Sequence, residues 1–418
     1  MSAANVGQSS LTVLVVGGGG REHALALAIS RDPGTVVHVA PGNPGTARFA
    51  QNHPVDILDG AAVAALAREI GADLVVIGPE APLVAGVADA VRAVGIACFG
   101  PSAAAAQLEG SKSFAKKVMH DAGVPTAASR TCTTPAEIAE ALDEFGAPYV
   151  VKHDGLAAGK GVLVTTDRQA ALDHGVLAEQ VVVEEYLDGP ELSLFVITDG
   201  THAVALQPAQ DFKRVGDADT GPNTGGMGAY SPLPWLPEGT VEAVMDRVVD
   251  PTLAHMREIG MPFQGLLYVG LALTTKGPRV VEFNARFGDP ETEVVLPLLD
   301  EPLTPVLLAA ATGTLGDREP LGFGNRAAVC VVLASKGYPV APRKGGRITL
   351  PADTAVVHTI HAGTALGPDG GLTAGGGRVL VVVAQGVDVP SARRLAYEHV
   401  AAVDFPDGFF RTDIAARI

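Results

Sequence analysis

Val280-Val281-Glu282-Phe283-Asn284-Ala285-Arg286 alternates apolar and polar residues as a half-buried strand does. On such a strand Glu282, Asn284 and Arg286 share one face, while Val281 and Phe283 share the other. A carboxylate and an amide oxygen two residues apart suit magnesium, a hard ion that completes its shell with water and substrate phosphates. Arg286 beside them can hold a carboxylate or a phosphate. Taken alone, the triplet fits a solvated strand face better than a metal site.

Four other segments point to the same chemistry. Gly155-Leu156-Ala157-Ala158-Gly159-Lys160-Gly161 resembles a P-loop but is one residue short, and Gly161 stands where a magnesium-holding Ser or Thr would be. What remains is a loop of glycines and alanines that can close on a triphosphate with its amides while Lys160 adds charge. The plainer reading is a hairpin tip. Val181–Leu187 is an apolar strand ending in Glu184 and Glu185. Backbone beside Leu187 can grip an adenine edge, and Glu191 can hold ribose hydroxyls. Lys112 and Lys152 are further cations able to reach phosphates, although a single lysine is more often a surface residue.

Gly17-Gly18-Gly19-Gly20-Arg21-Glu22 invites a dinucleotide reading that fails twice. Glu22 stands where the third glycine belongs, and the second strand ends Ala40-Pro41-Gly42-Asn43 with no acid for a ribose hydroxyl. A glycine loop opening a helix still offers amides to a single phosphate.

These residues need elements to position them. Leu11–Val16 is a continuous apolar run, followed by the glycines and an Ala/Leu-rich helix at Arg21–Ile29. Strands at Val36–Ala40, Asp73–Ile77 and Ile96–Phe99 alternate with helices at Ala61–Ile70 and Val84–Val94. That is a doubly wound parallel sheet. Beyond Gly100-Pro101 come helices at Ser111–Ala122 and Pro135–Glu144 with short strands between them. Leu192–Thr198 and Ala203–Leu206 read as strands, and Gln210–Pro234 reads as a long functional loop. A helix at Val241–Ile259, strands at Leu266–Thr274 and Arg279–Phe283, and a helix near Thr304–Ala311 follow. Val329–Ala334, Arg347–Leu350, Val379–Ala384 and a helix at Val389–Val400 form the last region. The expected organisation is a polar tail at 1–10, a Rossmann-like domain at 11–103, a second domain at 104–326 with a small α/β module at 124–192, and a C-terminal α/β domain at 327–418.

At 418 residues the chain needs about two to four domains. A net charge of −16 argues against nucleic acid or an anionic membrane as partner, so any anionic substrate requires a local basic pocket. Cys98, Cys132 and Cys330 are scattered, without CxxC pairing, which fits neither a disulfide frame nor a zinc site. No apolar run approaches the ~20 residues of a membrane helix, and Met1–Ser10 lacks the features of a signal peptide. A cytoplasmic protein is expected. No Ser/His/Asp or Cys/His arrangement suggests a side-chain nucleophile.

In order along the chain, Lys112, Lys152, the 155–161 loop, the Glu184–Leu187 linker and Glu282/Asn284 resemble the ATP-grasp pattern. Gly19–Ala24, Ala40–Asn43, Gly78–Leu83, Leu108–Lys112, Asp154–Val162, Gln210–Tyr230 and Arg286–Glu291 are similar to the phosphoribosylamine–glycine ligase family. His361–Thr364 and Gly375–Leu380 continue the likeness, which covers Leu11–Ile418. His153 replaces a smaller residue, Gly18 stands where Asn or Ser is common, and Asp173–Gln180 is shortened.

The resemblance implies ATP-dependent ligation of glycine to 5-phosphoribosylamine through a glycyl phosphate, with the 124–192 module as the flap over ATP. It implies metal ligation by Glu282 and Asn284, with magnesium expected and manganese as the alternative. Lys112, Lys152, Gly155, Gly159, Lys160, Gly161, Glu184, Glu185, Leu187 and Glu191 would hold ATP. Gly18, Gly19, Gly42, Asn43, Glu80, Asp211, Arg214, Asn223, Gly225 and Gly226 would bind substrate. Lys213, Arg286 and Asp289 would act in catalysis. A monomer is the expected state, with a weak oligomer as the alternative. A carboxylating ligase of the same superfamily should lack the Gln210–Tyr230 loop, and a non-catalytic nucleotide sensor should lack Glu282 and Asn284.

Overall fold

Val13, Leu14, Val15 and Val16 are wholly buried, as befits the middle strand of a sheet covered on both faces. In the computed structural model, which describes residues 10–156, 161–316 and 318–418, the strand Leu11–Gly17 pairs in parallel with Thr35–Pro41 and with Leu74–Ile77. Gln51–Asn52 and Ala97–Phe99 complete a five-stranded, all-parallel sheet. Strand order reverses at Leu11–Gly17, so the crevice beyond the carboxyl ends of this strand and Leu74–Ile77 is the natural ligand site. Gly17–Gly20 and Gly78-Pro79-Glu80 lie at those ends. The helix expected at Val84–Val94 is broken into Glu80–Val84 and Val87–Ala93, because Gly86 takes a left-handed φ of 83° between them.

Ser129–Cys132, Val181–Glu184, Tyr149–His153 and Val162–Thr165 form a separate antiparallel sheet. The helices Pro135–Phe145 and Arg168–Gly175 cover it, and Cys132, Ile138, Leu142, Val151 and Val183 form its own small core. This module stops at Glu184. Glu191 and Leu192, expected within it, begin the strand Glu191–Thr198 of the next sheet.

That sheet runs Ala203–Ala205, Glu191–Thr198, Gly265–Thr274, Gly277–Asn284. Gly270 opposes Glu282 but Leu271 opposes Val280, so Val281 is the extra residue of a bulge. The helix expected at Val241–Ile259 is interrupted by a π turn at Met245–Val249, just before Pro251, which has no N–H to donate.

The long segment 210–234 is not simply a loop. It contributes the short strands Gln210–Asp211 and Gly228–Ser231, and a hairpin of Arg214–Gly216 with Thr220–Asn223. Polar strands of two to four residues carry too little alternation to be read from sequence. Gly228–Ser231 pairs with Ala327–Ser335, which pairs with Arg378–Gly386, which pairs with Val357–His361. The C-terminal sheet therefore reaches back across the boundary expected at 326/327. Arg347–Leu350 forms no strand. Arg347 and Thr349 make only isolated bridges to Thr373 and Asp404. The helix Val389–Ala402 packs on this last sheet.

Candidate active site

One cavity of about 700 Å³ opens between the small module and the sheets beneath it. Its far wall is the strand Gly277–Asn284, which presents Glu282 and Asn284; Arg286 follows just past its end. The helix Lys112–Asp121 supplies Lys112 and Lys116, spaced four apart and so on one face. Lys152 enters from the module's strand Tyr149–His153. Burial would raise the Glu282 carboxyl, but Lys213, Lys152, Lys112 and Arg286 outweigh it and hold the group below its ordinary range. Glu282 is thus an anion surrounded by cations. Among the described residues no cluster of three or more His, Cys, Asp or Glu side chains stands ready for a metal. Glu282 and Asn284 therefore fit an ion that takes most of its ligands from phosphate and water.

Asp154 ties the module to the body. Its carboxylate accepts from Lys112 N at 2.5 Å, Ser113 Oγ at 2.5 Å and Gln180 Nε2 at 2.5 Å. It thus anchors the N-terminus of the helix that carries Lys112. Lys112 Nζ donates to Gly155 O at 2.9 Å, and burial lowers its pKa. Gly155 and Gly161 line the cavity, whereas Gly159 and Lys160 lie outside the described residues. His153 stacks on His174 with ring centroids 4.1 Å apart, beside the Gly161 carbonyl.

The Glu184 carboxylate is held by two lysines: Lys152 Nζ at 2.9 Å and Lys116 Nζ at 3.3 Å. It is not free for a ligand, although Glu184, Glu185 and Leu187 all border the cavity. Glu185 pairs with Arg279 at 2.6 Å. Glu191 pairs with Lys213 at 2.5 Å, and Asp211 lies near both. Burial pushes the Asp211 carboxyl up to about 7, against the pull of Lys213. Burial would lower Lys213, but Asp211 and Glu191 hold it above its usual range.

At the other end of the cavity, Arg286 sits between Glu109 at 2.9 Å and Glu80 at 3.2 Å. Glu109 also accepts from Ala285 N at 2.7 Å. Arg21 reaches Phe287 O at 3.0 Å and pairs with Glu22 at 2.6 Å. Asp289 pairs with Arg378 at 2.8 Å, and the same guanidinium donates to Gly225 O at 2.7 Å. Asn223 and Gly225 border this end.

Several expected substrate contacts lie elsewhere. Gly18, Gly19, Gly42, Asn43, Arg214 and Gly226 do not line the main cavity. The Gly19 amide, expected to be available for phosphate, donates to Glu22 Oε2 at 2.7 Å. Asn43 is saturated internally: its amide donates to Gly18 O and His361 O, and its oxygen accepts from Gly45 N and Thr46 N. Arg214 turns to Gly221 O at 2.8 Å. Gly226, with φ of 109°, is packed against Pro290, whose Cδ would lie 2.4 Å from any added Cβ. Arg21, Glu109, Lys116 and Arg378 also border the cavity, although the sequence gives none of them a role. Arg21, Glu109 and Arg378 do lie in the family-like segments Gly19–Ala24, Leu108–Lys112 and Gly375–Leu380, and Lys116 follows Lys112 at i, i+4.

Beneath the first glycine loop, Glu293 is 1% exposed, and neither carboxylate oxygen has a hydrogen-bond partner among the described residues. Burial first, then Asp289, raises its pKa well above the ordinary 4.5. A raised carboxyl stabilises the fold below its unfolded pKa and loses that contribution as pH climbs toward the folded value. Glu293→Gln should therefore be more stable than the parent at pH 7.5, by about 1–3 kcal/mol. The gain should shrink as pH falls toward 4.5. Denaturant unfolding at the two pH values measures this, and equal stability at both would refute it.

Models of the phosphoribosylglycinamide synthetase family match the chain in order: the N domain over residues 11–109, the ATP-grasp (A) domain over 110–292 and the C domain over 328–417. A phosphoribosylamine–glycine ligase of Streptomyces coelicolor is 59% identical over 97% of this chain and 99% of its own length. The chain belongs to the phosphoribosylglycinamide synthetase family. The crystal structure of phosphoribosylamine–glycine ligase from Thermotoga maritima matches with a TM-score of 0.85 and 36% identity, covering 97% of this chain and 100% of that one. The biotin carboxylase domain of Hydrogenobacter thermophilus 2-oxoglutarate carboxylase, solved with MgADP and bicarbonate, matches with a TM-score of 0.72 and 16% identity over 97% of this chain and 92% of that one. That is a likeness of fold alone. As a phosphoribosylglycinamide synthetase family member the chain is an ATP-grasp ligase of multi-domain α/β architecture, as its sequence implied. Within it, the strands Gly228–Ser231 and Gln210–Asp211 of the ATP-grasp match extend the sheet of the C-domain match.

Proposed function

We propose that this chain joins glycine to 5-phosphoribosylamine, converting ATP to ADP and phosphate and forming glycinamide ribonucleotide. The observation that carries the reading is the convergence of Lys112, Lys152, Glu282 and Asn284, from three separate elements, on one cavity roofed by the small module. The sheet of Ser129–Cys132, Tyr149–His153, Val162–Thr165 and Val181–Glu184, with the two helices that cover it, serves as the flap. The backbone of Glu185–Leu187 takes the adenine and Glu191 the ribose. Gly155, Gly161 and the undescribed Gly159 and Lys160 cover the phosphates.

Glu282 and Asn284 hold magnesium, or manganese in its place, which when bound neutralises charge on the transferring phosphoryl group. Lys112 and Lys152 place two more positive charges beside the same oxygens. A carboxylate oxygen of glycine attacks the γ-phosphorus, the bond to the β-phosphate oxygen breaks, and ADP leaves. The amine of phosphoribosylamine then attacks the acyl carbon. A C–N bond forms, the C–O bond to phosphate breaks, and the released phosphate can take the proton the amine sheds. Arg286, Asp289 and Lys213 orient the carboxylate and the amine. Glu80, Asp211, Asn223 and Gly225 line the substrate end. Gly18, Gly19, Gly42, Asn43, Arg214 and Gly226, which lie off the cavity, are given no direct substrate contact. Closure of the flap keeps water from the acyl phosphate.

No described helix is long and apolar enough to cross a membrane. We place the reaction in the cytoplasm, carried out by a monomer. With glycine, phosphoribosylamine and magnesium–ATP, the purified protein should release ADP in step with amide product, and bicarbonate in place of glycine should release none above background. Absence of ADP with all three substrates would sink the assignment.

A further inference from the structure

The flap meets the body at a charged junction. Lys116 is buried and belongs to the body helix Lys112–Asp121. Its Nζ donates to Thr126 Oγ1 at 2.9 Å and Ala127 O at 3.1 Å, both in the segment entering the flap, and lies 3.3 Å from Glu184 Oε1 where the flap sheet ends. The other Glu184 oxygen holds Lys152, whose Nζ also donates to the bulge carbonyl Val281 O at 2.9 Å. Thr126 Oγ1 in turn donates to Val280 O at 2.7 Å. One ammonium thus touches the body helix, the flap's entry and the flap's exit. Its neutral loss would free an oxygen of the carboxylate that aims Lys152.

We propose that Lys116 is a positioning residue for the nucleotide: through Glu184 it fixes the flap's angle on the body and holds the Lys152 ammonium at the cavity wall. This rests on the reading that ATP occupies the cavity. Lys116 touches no reacting atom in that role, so its loss should weaken nucleotide binding more than turnover. The groups facing it are Glu184 and Lys152 from the flap sheet and Arg279 from the strand Gly277–Asn284. Arg279 is itself paired with Glu185. Burial brings Lys116 down to about 8, despite Glu184. The ammonium, and with it the lock, is present below that pH and lost above it.

The test is steady-state kinetics and ADP titration on the full chain with Lys116→Met, an apolar replacement of similar length, and Glu184→Gln. In Lys116→Met the KM for ATP should rise about tenfold, kcat should stay within about twofold, and the KM for glycine should not move. Between pH 7 and 9 the parent's KM for ATP should climb, whereas that of Lys116→Met should be flat at the parent's high-pH value. Glu184→Gln should also raise the KM for ATP, and it decides the matter should Lys116→Met fail to fold. An unchanged KM for ATP in the variants, or a parent-like pH profile in Lys116→Met, overturns the proposal while leaving the ligase assignment standing. A parent protein that binds no ADP would overturn both.

Discussion

Glu282→Ala should lower kcat by about 10²–10³ while leaving a folded protein that still binds nucleotide. Glu282 is the only carboxylate offered with Asn284 on the cavity face of Gly277–Asn284, and four cations, Lys213, Lys152, Lys112 and Arg286, keep it ionised. Removing it deletes the anionic half of the metal pair, and Asn284 alone is a neutral ligand. Nucleotide binding should survive because Lys112 and Lys152 then face the phosphates with one fewer competitor. The fold should survive because Lys152, Lys213 and Arg286 keep their other carboxylate partners, Glu184, Glu191 and the pair Glu80 and Glu109. ADP release with saturating substrates and excess magnesium measures the first effect, and titration with ADP the second. A kcat within tenfold of the parent would remove Glu282 from the metal site.

Arg286→Met should cost both activity and about 3 kcal/mol of stability. Its guanidinium is the shared partner of Glu109 and Glu80, and Glu109 has only 7% of its side chain exposed. Without Arg286, Glu109 would be an unpaired charge in a buried site, and burial already raises its pKa. Breaking one partner out of a buried ion pair costs more than replacing the pair. The double variant Arg286→Met with Glu109→Gln should therefore recover most of the lost stability and none of the ligation. Denaturant unfolding and coupled ADP release on the three proteins separate the two roles. Recovery of activity in the double variant would show that Arg286 only balances charge.

What could be read from sequence was set by local rules. Leu11–Gly17 with its glycine turn declared a parallel α/β unit, because a fully apolar run before a helix has few other uses. The alternation in 280–286 put Glu282 and Asn284 on one face, and they do share the cavity. Helices expected at Ser111–Ala122 and Pro135–Glu144 form at Lys112–Asp121 and Pro135–Phe145. Side-chain identity and short-range periodicity suffice for such features.

Whatever depends on approach between distant segments was decided only by the tertiary structure. Glu184, an acid at a strand end, could as well hold a ligand as a lysine until Lys116 and Lys152 arrived from elsewhere in the fold. Asn43 carries the right groups for a substrate, yet the carbonyls of Gly18 and His361 take its N–H groups and the amides of Gly45 and Thr46 take its oxygen. The strand Gly228–Ser231 has no pattern of its own and exists because Ala327–Ser335 lies beside it. A sequence names the donors and acceptors; which of them remain unspent to meet a substrate is settled by packing, since a buried polar group takes whichever partner comes within reach.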